Sequence, residues 1–165
     1  GFWKSYMEKY KDWTDENLAL HDRYFRKQLE IVGKMQKAGV PILAGTDVMN
    51  PYCFPGFSLH DELVWLTKAG LKPGEALRAA TINPAIYLGI EKDFGTAERG
   101  KVADLVLLDA NPLLDIRNTT KIGAVFVRGK LLRREDLDKL MPKMPAAPAA
   151  SPPAALGGIA DDEWP

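Results

Sequence analysis

An α/β fold follows from three features of the chain. The apolar run Pro41-Ile42-Leu43-Ala44, ending in Gly45-Thr46-Asp47, reads as a buried parallel strand that delivers a carboxylate at its end. Helical stripes flank that run on both sides, and after Gly95 the hydrophobic period changes to short antiparallel β runs. With 165 residues, 46% of them hydrophobic, the chain has the means to bury a core of ordinary domain size.

In chain order, Trp3, Tyr6, Tyr10 and Trp13 form an aromatic lead-in, read as packing rather than as a lid. An amphipathic helix is predicted from about Asn17 to Ala38, with Leu18, Phe25, Leu29, Val32 and Met35 on one face. Thr14 is its expected N-cap, Asp15 and Glu16 suit the positive first turn, and Gly39 ends it. After the strand, Val48 to Phe57 contains Asn50-Pro51 and Pro55-Gly56, which require an irregular loop. A long loop after a strand end is a natural pocket wall, so Asn50, Tyr52, Phe54 and Phe57 are candidates to line a substrate site.

Ser58 with Asp61 has the form of a capping box for a helix carrying Leu59, Leu63 and Leu66 and ending at Gly70. Pro73 opens a short helix through Ala80. Asn83-Pro84 predicts another, with Asn83 as N-cap and Gly89 as terminator. Beyond Gly95, Val102 to Asp109, Ile122 to Val127 and Lys130 to Arg133 read as strands, the last two joined by a tight Arg128-Gly129 turn. Leu105 to Leu108 is apolar on both faces and is expected as an inner strand that needs more sheet than this chain supplies. A helix near Arg134 to Leu140 precedes a Pro- and Ala-dominated tail. The chain thus divides into residues 1–94, residues 95–141, and a tail over 142–165 expected to be disordered.

Lys plus Arg and Asp plus Glu both number 22, which removes the electrostatic case for a nucleic-acid partner or an anionic membrane. No run approaches the roughly 18 apolar residues of a membrane span, and the amino end lacks a signal-peptide pattern. The single Cys53 slightly favours a reducing, cytoplasmic compartment without excluding export.

Ala44-Gly45-Thr46-Asp47, His60-Asp61-Glu62-Leu63, Ala69-Gly70-Leu71-Lys72-Pro73, Glu75 to Thr81 and Asn83-Pro84-Ala85 together resemble the amidohydrolase superfamily. So do Gly100 to Asp109 and Asn111-Pro112-Leu113. Their order is similar to the carboxyl-terminal third of the imidazolonepropionase and Xaa-Pro dipeptidase branch. The resemblance covers about Gly39 to Lys130.

It implies the end of a (β/α)8 metal-dependent hydrolase barrel over 1–94 and part of a small composite β-sandwich over 95–141. Pro41 to Ala44 then corresponds to the eighth barrel strand, and Asp47 to the strand-eight aspartate. That residue is both a metal ligand and the group that passes a proton from the attacking water to the leaving nitrogen. The implied cofactor is one or two divalent ions, zinc being favoured by an oxygen and nitrogen donor set. The implied substrate is a small molecule or dipeptide with a scissile carbon–nitrogen bond.

The family's metal site also requires a His-x-His pair, a modified Lys or acidic residue and further strand-end histidines, in segments this chain lacks. Its two histidines, His21 and His60, fall in predicted helices, where structural roles are expected. The unpartnered parallel strand and the uncovered β run independently ask for more structure. The chain therefore reads as the last third of an enzyme, expected to be inactive alone and completed by an amino-terminal portion or a self-associating copy. The alternative is a non-catalytic interaction module that completes a partner's barrel or dimerises through open strands.

Overall fold

The computed structural model describes residues 2–48, 50 and 53–140. Among these residues six helices and three strands follow one another as α1 (Phe2–Tyr10), α2 (Asp15–Lys37), α3 (Phe57–Lys68), α4 (Pro73–Ala79), α5 (Ile82–Leu88), β1 (Leu105–Leu108), β2 (Ile122–Val127), β3 (Lys130–Arg133) and α6 (Arg134–Leu140). A 3-10 turn at Ile116–Thr120 precedes β2. No described helix is long and apolar enough to cross a membrane. The predicted tail at 142–165 lies outside the described residues.

α2 starts where local chemistry demands. Thr14 Oγ1 accepts from the Asn17 backbone N–H at 3.3 Å, and Asn17 Oδ1 accepts from the Thr14 N–H at 3.1 Å. The box satisfies two N–H groups at the cap, one of them the otherwise orphaned donor of Asn17. The aromatic lead-in contains α1, whose rings pack in sequence: Tyr6 on Tyr10 at 4.7 Å, Tyr10 on Trp13 at 4.6 Å, and Trp13 on the His21 ring at 5.3 Å.

Two predicted caps are displaced. α3 begins at Phe57 with Gly56 at its N-cap in a left-handed conformation, φ 81°. Ser58 therefore lies inside the first turn, where its hydroxyl accepts from the Phe54 N–H at 2.7 Å. α5 begins after Thr81, and Asn83 does not cap it; its side-chain amide donates instead to the Ile42 carbonyl at 2.9 Å. A cap position is a local preference, and a competing partner takes the side chain in both cases, four residues away for Ser58 and 41 for Asn83.

Leu63 and Leu66 of α3, Leu71, Ala76 and Ala79 of α4, and Ile116 make one buried cluster, with Val32, Ile42 and Ala44 packed against it. Helices α2 and α3 approach closely because Gly33 has no side chain to hold them apart: a Cβ there would fall within 3.0 Å of the Ala69 carbonyl oxygen. Phe25 and Trp65 meet edge-to-face at 4.9 Å across the same pair of helices.

The sheet is antiparallel in the order β1-β2-β3. Arg128 and Gly129 both take positive φ, 49° and 80°, as a two-residue hairpin with right-handed strand twist requires. Asp104 steadies that turn by accepting from the Arg128 N–H at 2.6 Å, while the Gly129 N–H donates to the Ala103 carbonyl at 3.0 Å.

Two strand predictions are corrected. Pro41 to Ala44 forms no strand, because no described segment runs alongside it, and a strand exists only as a member of a paired ladder. Among the described residues β1 is an edge strand rather than an inner one: β2 occupies one side and no described strand pairs with the other, leaving Val106 56% and Leu107 58% exposed.

Candidate functional site

Although Pro41 to Ala44 is not a strand, its residues behave as a two-sided segment. Ile42 and Ala44 face the core, while Leu43 turns outward and is 39% exposed. Three tethers hold this short stretch. The Ile42 carbonyl accepts from Asn83 of α5, the Ala44 N–H donates to the Ala79 carbonyl of α4 at 2.9 Å, and the Gly45 N–H donates to Glu62 Oε1 of α3 at 2.6 Å. Each of the next three helices thus contributes one partner to four consecutive residues.

Asp47 lies two residues past the last tether. It is exposed and left-handed, with φ 48°, a conformation that Asp and Asn tolerate because their short polar side chains compensate locally. Its carbonyl accepts from the Asn50 N–H at 3.2 Å, so Asp47 and Asn50 share one tight turn. Of the proposed substrate wall, Asn50 is exposed, and Phe54 and Phe57 are 54% and 61% exposed beside the start of α3. Tyr52 lies outside the described residues.

Both histidines lie on helices, His60 on α3 and His21 on α2. His60 Nδ1 lies 3.0 Å from Thr119 Oγ1, and the Thr119 hydroxyl donates its hydrogen to the Ile116 carbonyl at 2.9 Å. Thr119 must then accept, which puts a proton on His60 Nδ1 and joins α3 to the 3-10 turn. His21 is exposed against Trp13 on the surface of α2.

Among the described residues, no group of three or more His, Cys, Asp or Glu side chains is placed to hold a metal ion. The expected divalent site therefore does not fit the described residues by themselves: Asp47 offers one carboxylate, whereas such sites take three or more protein ligands.

Glu62 and Asn83 are the residues whose roles were not read from sequence. Both sit within motifs that stand out, His60-Asp61-Glu62-Leu63 and Asn83-Pro84-Ala85, but their partners lie 17 and 41 residues away. Glu62 is also unusual in that its second oxygen, Oε2, is buried without a hydrogen-bond partner among the described residues.

The profile of the Amidohydrolase family matches residues 5–132. An imidazolonepropionase from Thermoplasma volcanium is 35% identical over 102 residues, covering 58% of this chain and 24% of that protein. Another from Shouchella clausii is 47% identical over 78 residues, covering 46% of this chain and 17% of that protein. Among solved structures, a Xaa-Pro dipeptidase with bound methionine in its active site superposes with a TM-score of 0.58 at 30% identity, over 64% of this chain and 25% of that one. A molinate hydrolase does so with a TM-score of 0.60 at 27% identity, over 73% and 29%. The chain thus spans about a quarter or less of the length of these curated relatives. With most of its length matched by the family profile, this chain belongs to the Amidohydrolase family.

Proposed function

We propose that this chain contributes to a metal-dependent hydrolase that cleaves carbon–nitrogen bonds in cyclic amides, amides or dipeptides. In this reading residues 41–44 take the place of the eighth strand of a (β/α)8 barrel, and residues 95–141 form part of a composite β-sandwich. Asp47 is the acid–base carboxylate, moving a proton between the attacking water and the leaving nitrogen. Ligation of zinc or a similar divalent ion by Asp47 belongs to the same proposal and needs donors beyond the described residues. Asn50, Tyr52, Phe54 and Phe57 form the substrate wall. The observation that carries the reading is the three-helix tether of residues 42–45, which gives Asp47 a rigid base at the end of the Gly45-Thr46-Asp47 motif.

Asp47→Asn in the full protein is the test. Asn tolerates the left-handed backbone, so the fold should survive while proton transfer is lost. Turnover of a panel of dipeptides and cyclic amides should fall by about 100-fold or more. Near-full turnover in the variant would refute the assignment.

The open edge of β1, with Val106 and Leu107 largely exposed, favours a second reading: a non-catalytic module that associates through its strands. Light-scattering mass measurement separates the two, since a clean monomer counts against obligate pairing.

A further inference from the structure

We infer that Glu62 is a positioning residue for Asp47, acting through the backbone of Gly45. This inference rests on the proposed role of Asp47. Residues 45–47 follow the last backbone bond that ties the segment to a helix, the Ala44 N–H bond to Ala79. The next N–H, that of Gly45, has no backbone partner among the described residues and is taken by the Glu62 carboxylate at 2.6 Å. A carboxylate makes a shorter and stronger bond to an amide than a neutral acceptor does. It comes from the second turn of α3, whose adjoining Leu63 is only 4% exposed and anchors that turn in the core. The bond therefore links a rigid helix to the base of a three-residue turn ending in a left-handed aspartate.

The state of Glu62 argues that the bond is specific. Its Oε2 is buried with no partner, so the carboxylate forgoes hydration on one oxygen while holding Gly45 with the other. A surface carboxylate with no positional task would turn toward water. Loss of the clamp frees Gly45 and lets Asp47 wander from its productive position, which affects the reacting geometry more than substrate capture.

Two substitutions and two readouts test this in the full protein. Glu62→Gln keeps an oxygen that can accept from Gly45, whereas Glu62→Ala removes it. Hydrogen exchange at the Gly45 amide should accelerate in Glu62→Ala and stay protected in Glu62→Gln. The kcat should fall by about tenfold to 100-fold in Glu62→Ala with KM little changed, and Glu62→Gln should retain most of it. Unchanged Gly45 exchange in Glu62→Ala overturns the inference. So does undiminished kcat in that variant when Asp47→Asn has lost turnover. If Glu62→Ala does not fold, Glu62→Gln decides alone: protected Gly45 with a kcat as low as that of Asp47→Asn would show that Glu62 acts through its charge and not by positioning. Full turnover in Asp47→Asn would instead defeat the proposed function, leaving the exchange data to judge the clamp.

Discussion

Replacing Gly33 with alanine probes the crossing of α2 over the end of α3, two helices whose Val32 and Leu66 pack in the same cluster as Ile42 and Ala44 below Asp47. In a helix interior Gly→Ala ordinarily stabilises by about 1 kcal/mol, because alanine loses less backbone entropy. At Gly33 the added Cβ would meet the Ala69 carbonyl oxygen well inside contact distance, and the obstacle is backbone that no rotamer change can move aside. The two helices must separate or bend, at an overpacking cost of about 1–3 kcal/mol or more. Backbone obstruction puts the cost at the upper end, so the net loss should be about 1–2 kcal/mol, with a melting temperature lower by roughly 2–4 °C per kcal/mol for a chain of this size. Gly74→Ala supplies the opposite sign. Gly74 lies in the first turn of α4, and its Cβ would make ordinary contact with Leu113 Cδ2 at 3.6 Å. That variant should gain about 0.4–1 kcal/mol. Urea unfolding followed by circular dichroism measures both, and a Gly33→Ala protein at least as stable as its parent would refute the crossing geometry.

Gly95→Ala should cost about 2 kcal/mol or more in the same unfolding assay, combining left-handed strain with overpacking. Gly95 has φ 93°, and a Cβ there would lie 2.9 Å from both Ala85 Cβ and Ile82 Cα; an unchanged midpoint would contradict that packing. Glu30 is held at a pKa of about 2, below its ordinary 4.5, by hydrogen bonds from Lys27 and then Lys34 along α2. Because the folded value is depressed, its contribution to stability is present above about pH 4.5 and fades as the pH falls toward 2. A carboxyl NMR titration should place its midpoint well below that of a free glutamate, and added salt should raise it, since both ion pairs are exposed. An ordinary, salt-insensitive midpoint would show that the two lysines do not hold it.

Legibility followed the range of the interactions. The Thr14 cap, the Arg128-Gly129 turn, β2, β3 and α6 were all readable because each depends on residues within a few positions. Asp47 stood out as a motif position, and the structure adds its left-handed backbone and the tethers upstream. Ser58 and Asn83 were misread as caps because their local signals are genuine, yet Phe54 and Ile42 offered better partners once the chain had folded. Glu62 carried no local signal for its bond to Gly45, since nothing in a helical Asp-Glu pair announces a backbone donor 17 residues earlier.

By itself the sequence determined the Thr14 start of α2, the glycine-bearing turn at Arg128-Gly129, and which set of motifs groups the chain with its relatives. Those properties arise from short-range sterics, capping and hydrophobic period. Only the tertiary structure decided that residues 41–44 take no strand pairing among the described residues, that β1 lies at the edge of the described sheet, and that α3, α4 and α5 each hold one backbone group below Asp47. Pairing between distant segments depends on what is available alongside in space, and periodicity along one segment carries no record of that.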